Sequence, residues 1–292
     1  MVFSCFVDGR VVSGKKNKTV VFYPGLIASR LSSQEPPTVS GERFDMSGYD
    51  AIVNPAVGKH APPVGPVAVM AACEPDLKAL SQLLGYRPEN RTRLLISRLY
   101  SDPQKLGMPA LSGPMIGAPY AAMVLESLII RGARRILFIG WCGALVPDLQ
   151  IGDLILPDAA LVGEGTSLNY PPAAPRTFPS ADIMRDAQNV LAAEDIQVRQ
   201  GTIWTTDAAF RETRDQVKFY RARGADAVDM ETSALFAVAA FRRVKLAAVL
   251  VVSDSLAGES WQPGFRSPRF RSGRKAAHYL VNTLCRKLHP PK

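Results

Sequence analysis

Two acidic segments stand where chemistry could happen. Asp254 follows the apolar run Leu246 to Val252 and one serine, Ser253. A carboxylate at the mouth of a buried strand is partly desolvated, which raises its pKa and lets it act as an acid. The same Ser-Asp pair would also serve as a helix cap. Asp229-Met230-Glu231 opens a stretch whose apolar residues Leu235, Phe236 and Val238 have helical spacing. Glu231 at that start could complement the helix dipole and nothing more. Alternatively, a carboxylate accepts two hydrogen bonds side by side, which suits a vicinal diol such as that of a ribose. Met230 would then offer an adaptable apolar surface to the sugar face. Gly140-Trp141-Cys142-Gly143 follows an apolar run. Its glycines would let a ligand approach the backbone, and an ordinary tight turn explains them equally well.

The elements that must position these residues alternate from Pro66 onward. Strands are expected at 67–70, 94–96, 136–139, 154–156, 201–206 and 246–252. Helices are expected at 76–84, 120–130, 181–193, 231–241 and 272–288. Strands this uniformly apolar suit a sheet covered on both faces by helices. The fold class expected is α/β: a single three-layer α/β/α domain with a central mixed sheet, over residues 66–292. Residues 1–65, with Thr19 to Tyr23 reading as a strand, are expected to be an N-terminal extension packed on that domain. In such sheets ligands sit beyond the carboxyl ends of strands. That rule marks the positions after Ile139 and after Val252, and the turn before Glu231 is a third candidate.

Composition narrows the classes. Of 292 residues, 21% are charged and 47% hydrophobic, the balance of a soluble globular protein. No apolar run reaches the roughly 18 residues of a membrane span, and Met1 to Arg10 lacks the pattern of a secretory signal. A cytoplasmic protein with no membrane partner is the expectation. Four cysteines without a CxxC and three scattered histidines make a disulfide framework or a metal site unlikely on spacing. The net charge of +9 attracts anions. It comes without an RNA-binding aromatic signature or recognition helix, so no nucleic acid is expected.

Together the segments resemble the nucleoside phosphorylase superfamily, the group of uridine phosphorylase, hexameric purine nucleoside phosphorylase and methylthioadenosine nucleosidase. The resemblance runs from about Pro66 to Leu288. It is carried by Gly117-Ala118-Pro119, Phe138 to Ala144, Gly152-Asp153, Gly201 to Asp207, Val228 to Glu231 and Val252 to Asp254, in that order. It implies a small-molecule nucleoside as substrate and a homo-oligomer, a dimer or trimer of dimers. Glu231 would hold the ribose hydroxyls and Met230 would pack under the sugar. Asp254 would give a proton or hydrogen bond to the departing base, as in the purine-cleaving members. Asp229, Ser253, Gly140, Trp141, Thr206 and Phe210 would complete the substrate contacts.

The family's anion site is where this chain departs. The phosphate loop reads Cys73-Glu74-Pro75-Asp76-Leu77, with Leu77 in place of an arginine. Phe138 replaces a second arginine, and Trp141 a phosphate-binding Ser or Thr. Arg98 matches a phosphate arginine, and Gly117 is expected beside it. Thr213 and Asp215 stand where uridine-cleaving members read uracil, which disfavours uridine. Charge-assisted contacts are worth roughly 1.5–3 kcal/mol each, so losing two cations should weaken phosphate binding. Arg43, Arg266 or Arg269 could replace them.

Phosphorolysis, with inorganic phosphate as co-substrate and no other cofactor, is the first expectation, because the basic charge suits an anion. Hydrolysis with Asp76 as the base that activates water is the second. A non-catalytic nucleoside- or nucleotide-binding protein is the third. Asp254→Asn is expected to lower turnover by on the order of 10²-fold or more, the scale of a lost proton transfer, while leaving the fold intact. Base release alongside a thermal melt checks this, and an active mutant contradicts the role.

Overall fold

A computed structural model describes residues 51–288, apart from His60, Pro103, Leu106 and Asp195. The strand expected at 19–23 and Arg43 lie outside the described residues. The elements run β1 (Val67–Ala71), α1 (Glu74–Leu83), β2 (Arg91–Leu94), β3 (Ser97–Tyr100), β4 (Ala110–Gly113), α2 (Ala118–Ile129), β5 (Arg135–Ala144), β6 (Leu154–Gly163) and β7 (Arg176–Thr177). They continue with α3 (Ala181–Glu194), β8 (Arg199–Thr206), α4 (Arg214–Arg221), β9 (Ala225–Asp229), α5 (Thr232–Phe241), β10 (Lys245–Ser255), β11 (Gln262–Pro263) and α6 (Pro268–Leu288).

All strands join one mixed sheet in the order β11-β10-β6-β8-β9-β5-β1-β4-β3-β2, with β7 beside β6. β10 also pairs with β5 in parallel. Strands β10, β6, β8, β9 and β5 therefore close a ring, and β1 to β4 continue from it as an open wing. Alternate residues of the apolar strands serve opposite faces. On one face Met70, Phe138, Cys142, Leu250 and Val252 pack with α2 and α5 residues such as Leu125, Leu128, Leu235 and Phe236. On the other, Val69, Leu137, Ile139, Val249 and Val251 pack with α1, α3 and α6 through Leu77, Ile183, Leu280 and Leu284. This is the three-layer α/β/α arrangement with a central mixed sheet. No described helix is long and apolar enough to cross a membrane.

Two local expectations are corrected. Of residues 94–96 only Leu94 is in a strand, as the last residue of β2. Leu95 takes a positive φ of 55° in the turn joining β2 to β3. β5 does not end at Ile139 but runs through Gly140-Trp141-Cys142-Gly143 to Ala144, because β10 pairs with it along that whole length. Val64 is buried in the core, and its N–H donates to the Arg131 carbonyl at 3.1 Å.

α6 docks closely on the turn before β6. A Cβ built on Gly273 would lie 2.1 Å from the Gly152 carbonyl oxygen, and backbone cannot retreat as a side-chain tip can. Gly273→Ala is expected to cost ~1–3 kcal/mol by overpacking. Urea unfolding should show a lower midpoint with an unchanged slope.

Candidate active site

The first constellation forms where β9 passes into α5. Asp229 ends β9 and is buried. Its Oδ1 accepts the Thr205 hydroxyl at 2.7 Å, and its Oδ2 accepts the Thr232 N–H at 2.9 Å and the Thr232 hydroxyl as well. Expected as a substrate contact, Asp229 is instead consumed by internal donors, and it fixes the start of α5. Glu231, at the N-cap, is buried too. One of its oxygens accepts the Gly117 N–H at 2.7 Å. Gly117 reaches that position with φ of +82°, a conformation that favours glycine. Its N–H is thus spent on Glu231 and does not point to a phosphate, a second correction. Burial, and then the Asp229 charge beside it, push the Glu231 carboxyl up. A carboxylate has about four acceptor positions, so Gly117 leaves Glu231 capacity for a diol. Met230, half-buried, lies between the two acids in the chain.

The second constellation lies near the carboxyl end of β10. Asp254 sits after a register shift that follows Val252, opposite Gly143 of β5. A Cβ on Gly143 would stand 2.6 Å from Leu256 Cδ1 and 3.1 Å from Asp254 Oδ2, so this glycine makes room for the carboxylate. Ser253 Oγ lies 2.6 Å from Asp254 Oδ1 and 3.2 Å from the Cys142 carbonyl. Buried there, Ser253 orients Asp254 and is not a ligand contact as expected. Trp261 donates its indole N–H to Asp254 Oδ2 at 2.7 Å while 57% of its surface stays exposed. Glu212, half-buried just before α4, lies close enough for Asp254 to act on it. Burial first, and the Asp254 charge second, push its carboxyl up to about 8. Phe210 is exposed two residues earlier. Thr206 is buried, and its hydroxyl accepts the Ala208 N–H at 3.3 Å, which shapes the turn after β8.

The third constellation is an ion cluster beside the first turn of α1. Asp76 is fully buried. Its Oδ1 lies 2.7 Å from Arg274 Nε and 2.7 Å from His278 Nε2, and its Oδ2 accepts the Trp141 indole N–H at 2.6 Å. Burial alone would raise this carboxyl. The His278 hydrogen bond and the Arg274 charge outweigh burial and hold it below the usual range. A carboxylate so occupied is a poor base, which corrects the expected role of Asp76 in activating water. Trp141 is turned the same way, edge-on to Phe270 at 5.0 Å, so it packs under α6 and not against a ligand. Gly140 is corrected with it. A Cβ there would meet the Phe138 ring at 2.9 Å and Leu250 at 3.2 Å, so core packing occupies its space. Arg98 pairs with Glu74 of α1 in the same chain, where the expectation was an anion. Arg269 pairs with Asp153. The Cys73 thiol is pushed up by burial, then by the charges of Asp76 and Glu231, so the ion cluster and the Glu231 constellation are neighbours.

Open volume does not mark the site. Recesses of about 620 and 520 Å³ are found, and neither is lined by Glu231 or Asp254. The convergence of carboxylates does mark it.

The model of the phosphorylase superfamily matches residues 66–285. The chain belongs to this superfamily. A guanosine phosphorylase of Halorubrum lacusprofundi is 29% identical over 141 residues, 48% of this chain and 58% of that protein. A purine nucleoside phosphorylase DeoD-type of Bacillus cereus is 30% identical over 149 residues, 50% of this chain and 63% of that protein. The chain therefore spans about three-fifths of the length of these curated relatives. Among solved structures, the purine nucleoside phosphorylase of Toxoplasma gondii in complex with immucillin-H superposes with a TM-score of 0.66 at 19% identity, covering 77% of this chain and 92% of that one. The 5'-methylthioadenosine/S-adenosylhomocysteine nucleosidase of Helicobacter pylori gives 0.66 at 19%, covering 77% and 99%. These two likenesses establish the superfamily fold.

Sequence reasoning missed Glu212, and it missed the partners of Asp76. Arg274 and His278 are four residues apart and so share one face of α6. That spacing was visible, but nothing local tied it to residue 76. Asp76→Asn would leave buried Arg274 and His278 without their anion. It is expected to cost ~3–5 kcal/mol, the scale for breaking a buried ion pair. Because the folded carboxyl is held low, its contribution is complete above the unfolded pKa of about 3.9 and is lost as pH falls through the folded value. Urea melts between pH 7 and pH 3 should therefore show a flatter acid loss for the variant than for the wild type.

Proposed function

We propose that this protein cleaves the N-glycosidic bond of a purine-type nucleoside and that water captures the sugar carbon. Glu231 takes the ribose hydroxyls, Met230 underlies the sugar, and Asp254 faces the base. One observation carries the choice of water: the positions at which an anion would be held are filled from within. Leu77 and Phe138 are fully buried apolar residues. The Trp141 indole N–H and the Gly117 N–H are committed to Asp76 and Glu231. Arg98 is committed to Glu74. A phosphate dianion would have to break these pairs before it gained any of its own.

Cleavage builds positive charge on the sugar ring as the base departs. The acceptor oxygens of Glu231, buried beside Asp229, face that charge without needing to move. The names of the curated relatives favour a second reading, phosphorolysis at an anion site made by other groups.

A panel of purine and pyrimidine nucleosides, each incubated with and without inorganic phosphate, separates the readings. Release of free purine in phosphate-free buffer, unchanged by added phosphate, is the expected result. Release that requires phosphate favours the second reading. No release with ligand-induced thermal stabilisation indicates a binding protein. Glu231→Ala should lower kcat/KM by on the order of 10²-fold, as the hydrogen bonds to both ribose hydroxyls are lost.

A further inference from the structure

Trp261 combines a committed N–H with an open ring. The indole N–H donates to Asp254 Oδ2 at 2.7 Å, yet 57% of the residue's surface is exposed. Holding the loop does not require that contact. β11 folds back on the end of β10, with Pro263 opposite Asp254 and Gln262 opposite Ser255. The Gly264 N–H donates to the Ser253 carbonyl at 2.9 Å, and the Arg214 guanidinium donates to the Glu259 carbonyl at 2.7 Å. The backbone on both sides of Trp261 is therefore already pinned, and what the indole N–H adds is a hold on the carboxyl group. The other Asp254 oxygen lies 2.6 Å from Ser253 Oγ. One neighbour on each oxygen fixes the rotation of the carboxyl. Of a carboxylate's roughly four acceptor positions, two remain for a ligand. The indole ring itself leans on Phe265, with centroids 6.2 Å apart, and is otherwise open. A base hydrogen-bonded to Asp254 comes within reach of that ring.

We propose that Trp261 is a positioning residue for departure of the base: its N–H keeps the Asp254 carboxyl turned to a bound purine, and that purine covers its exposed ring. This rests on the glycosidic-cleavage reading above. A carboxyl free to rotate has to be ordered at each turnover, whereas one fixed beforehand does not. The ring presents a large flat apolar surface, the kind that a purine face covers with gain. An indole N–H is a donor only, so Trp261 takes no proton and acts through Asp254, which remains the group that serves the base.

Purine release by wild type, Trp261→Phe, Asp254→Ala and the double variant tests this. Trp261→Phe keeps an aromatic ring and removes the N–H. It should lose about 10- to 10²-fold in kcat, the scale of one hydrogen bond to a charged group, with KM little changed and the thermal midpoint unmoved. In the Asp254→Ala background the same change should cost almost nothing, because residues that act as a unit do not add. A Trp261→Phe enzyme with the kcat of wild type, or an equal loss in both backgrounds, overturns the proposal. The ring is read separately, from the Trp261 indole N–H resonance, identified by its absence in Trp261→Phe. A C-glycosidic purine analogue, which cannot be cleaved, should shift that resonance, and a resonance unmoved at saturation overturns the covering of the ring. Should the wild type release no base at all, the cleavage reading falls by itself. The resonance then decides: a shift on analogue binding that Asp254→Ala abolishes keeps Trp261 at the base through Asp254, and no shift overturns it.

Discussion

Asp229 holds the first turn of α5 by accepting the Thr232 N–H and hydroxyl, and that contact sets the position of Glu231 at the start of the helix. With Asp229 consumed, the buried Glu231 next to it is left to one backbone N–H, that of Gly117. A carboxylate is costly to bury, and it persists only where donors are supplied. Here they come from three places remote in sequence: β8 through Thr205, the start of α2 through Gly117, and α5 itself. The ring of strands brings these together, since β9 pairs with both β8 and β5.

The same division recurs across the site. Of Asp229 and Glu231, one is saturated by donors and the other is open to a ligand. At Asp254 the Trp261 indole N–H holds one oxygen and Ser253 Oγ lies 2.6 Å from the other, while the Glu212 carboxyl has no hydrogen-bond partner among the described residues. Asp76 is another carboxylate held from within, but its partners are the cationic Arg274, the His278 ring and the Trp141 indole, and it faces the α6 layer.

Much of this was legible from sequence, for physical reasons. The alternation of apolar strands and amphipathic helices follows from burial on two faces, so the three-layer architecture could be read directly. Glu231 and Asp254 stood out because acids abut long apolar runs there. The misreadings have physical causes as well. Gly140 and Gly143 suggested a turn, yet pairing with β10 carries β5 straight through both. Leu95 has strand propensity but takes a left-handed turn, because the hairpin between β2 and β3 needs one. Asp76 looked like a free base, since its partners lie some 200 residues later on α6. Glu212 looked like one more polar loop residue, and only the folded chain sets it beside Asp254.

The central claim is that Glu231 grips the sugar while Asp254 faces the base. A crystal structure with a C-glycosidic purine analogue, which cannot be cleaved, tests it most directly. The account predicts Glu231 oxygens within about 3.2 Å of the ribose 2'- and 3'-hydroxyls, a normal hydrogen-bond distance, with the purine edge at Asp254. An analogue bound instead in the recess over Glu126 and Arg242, with Glu231 untouched, would contradict it.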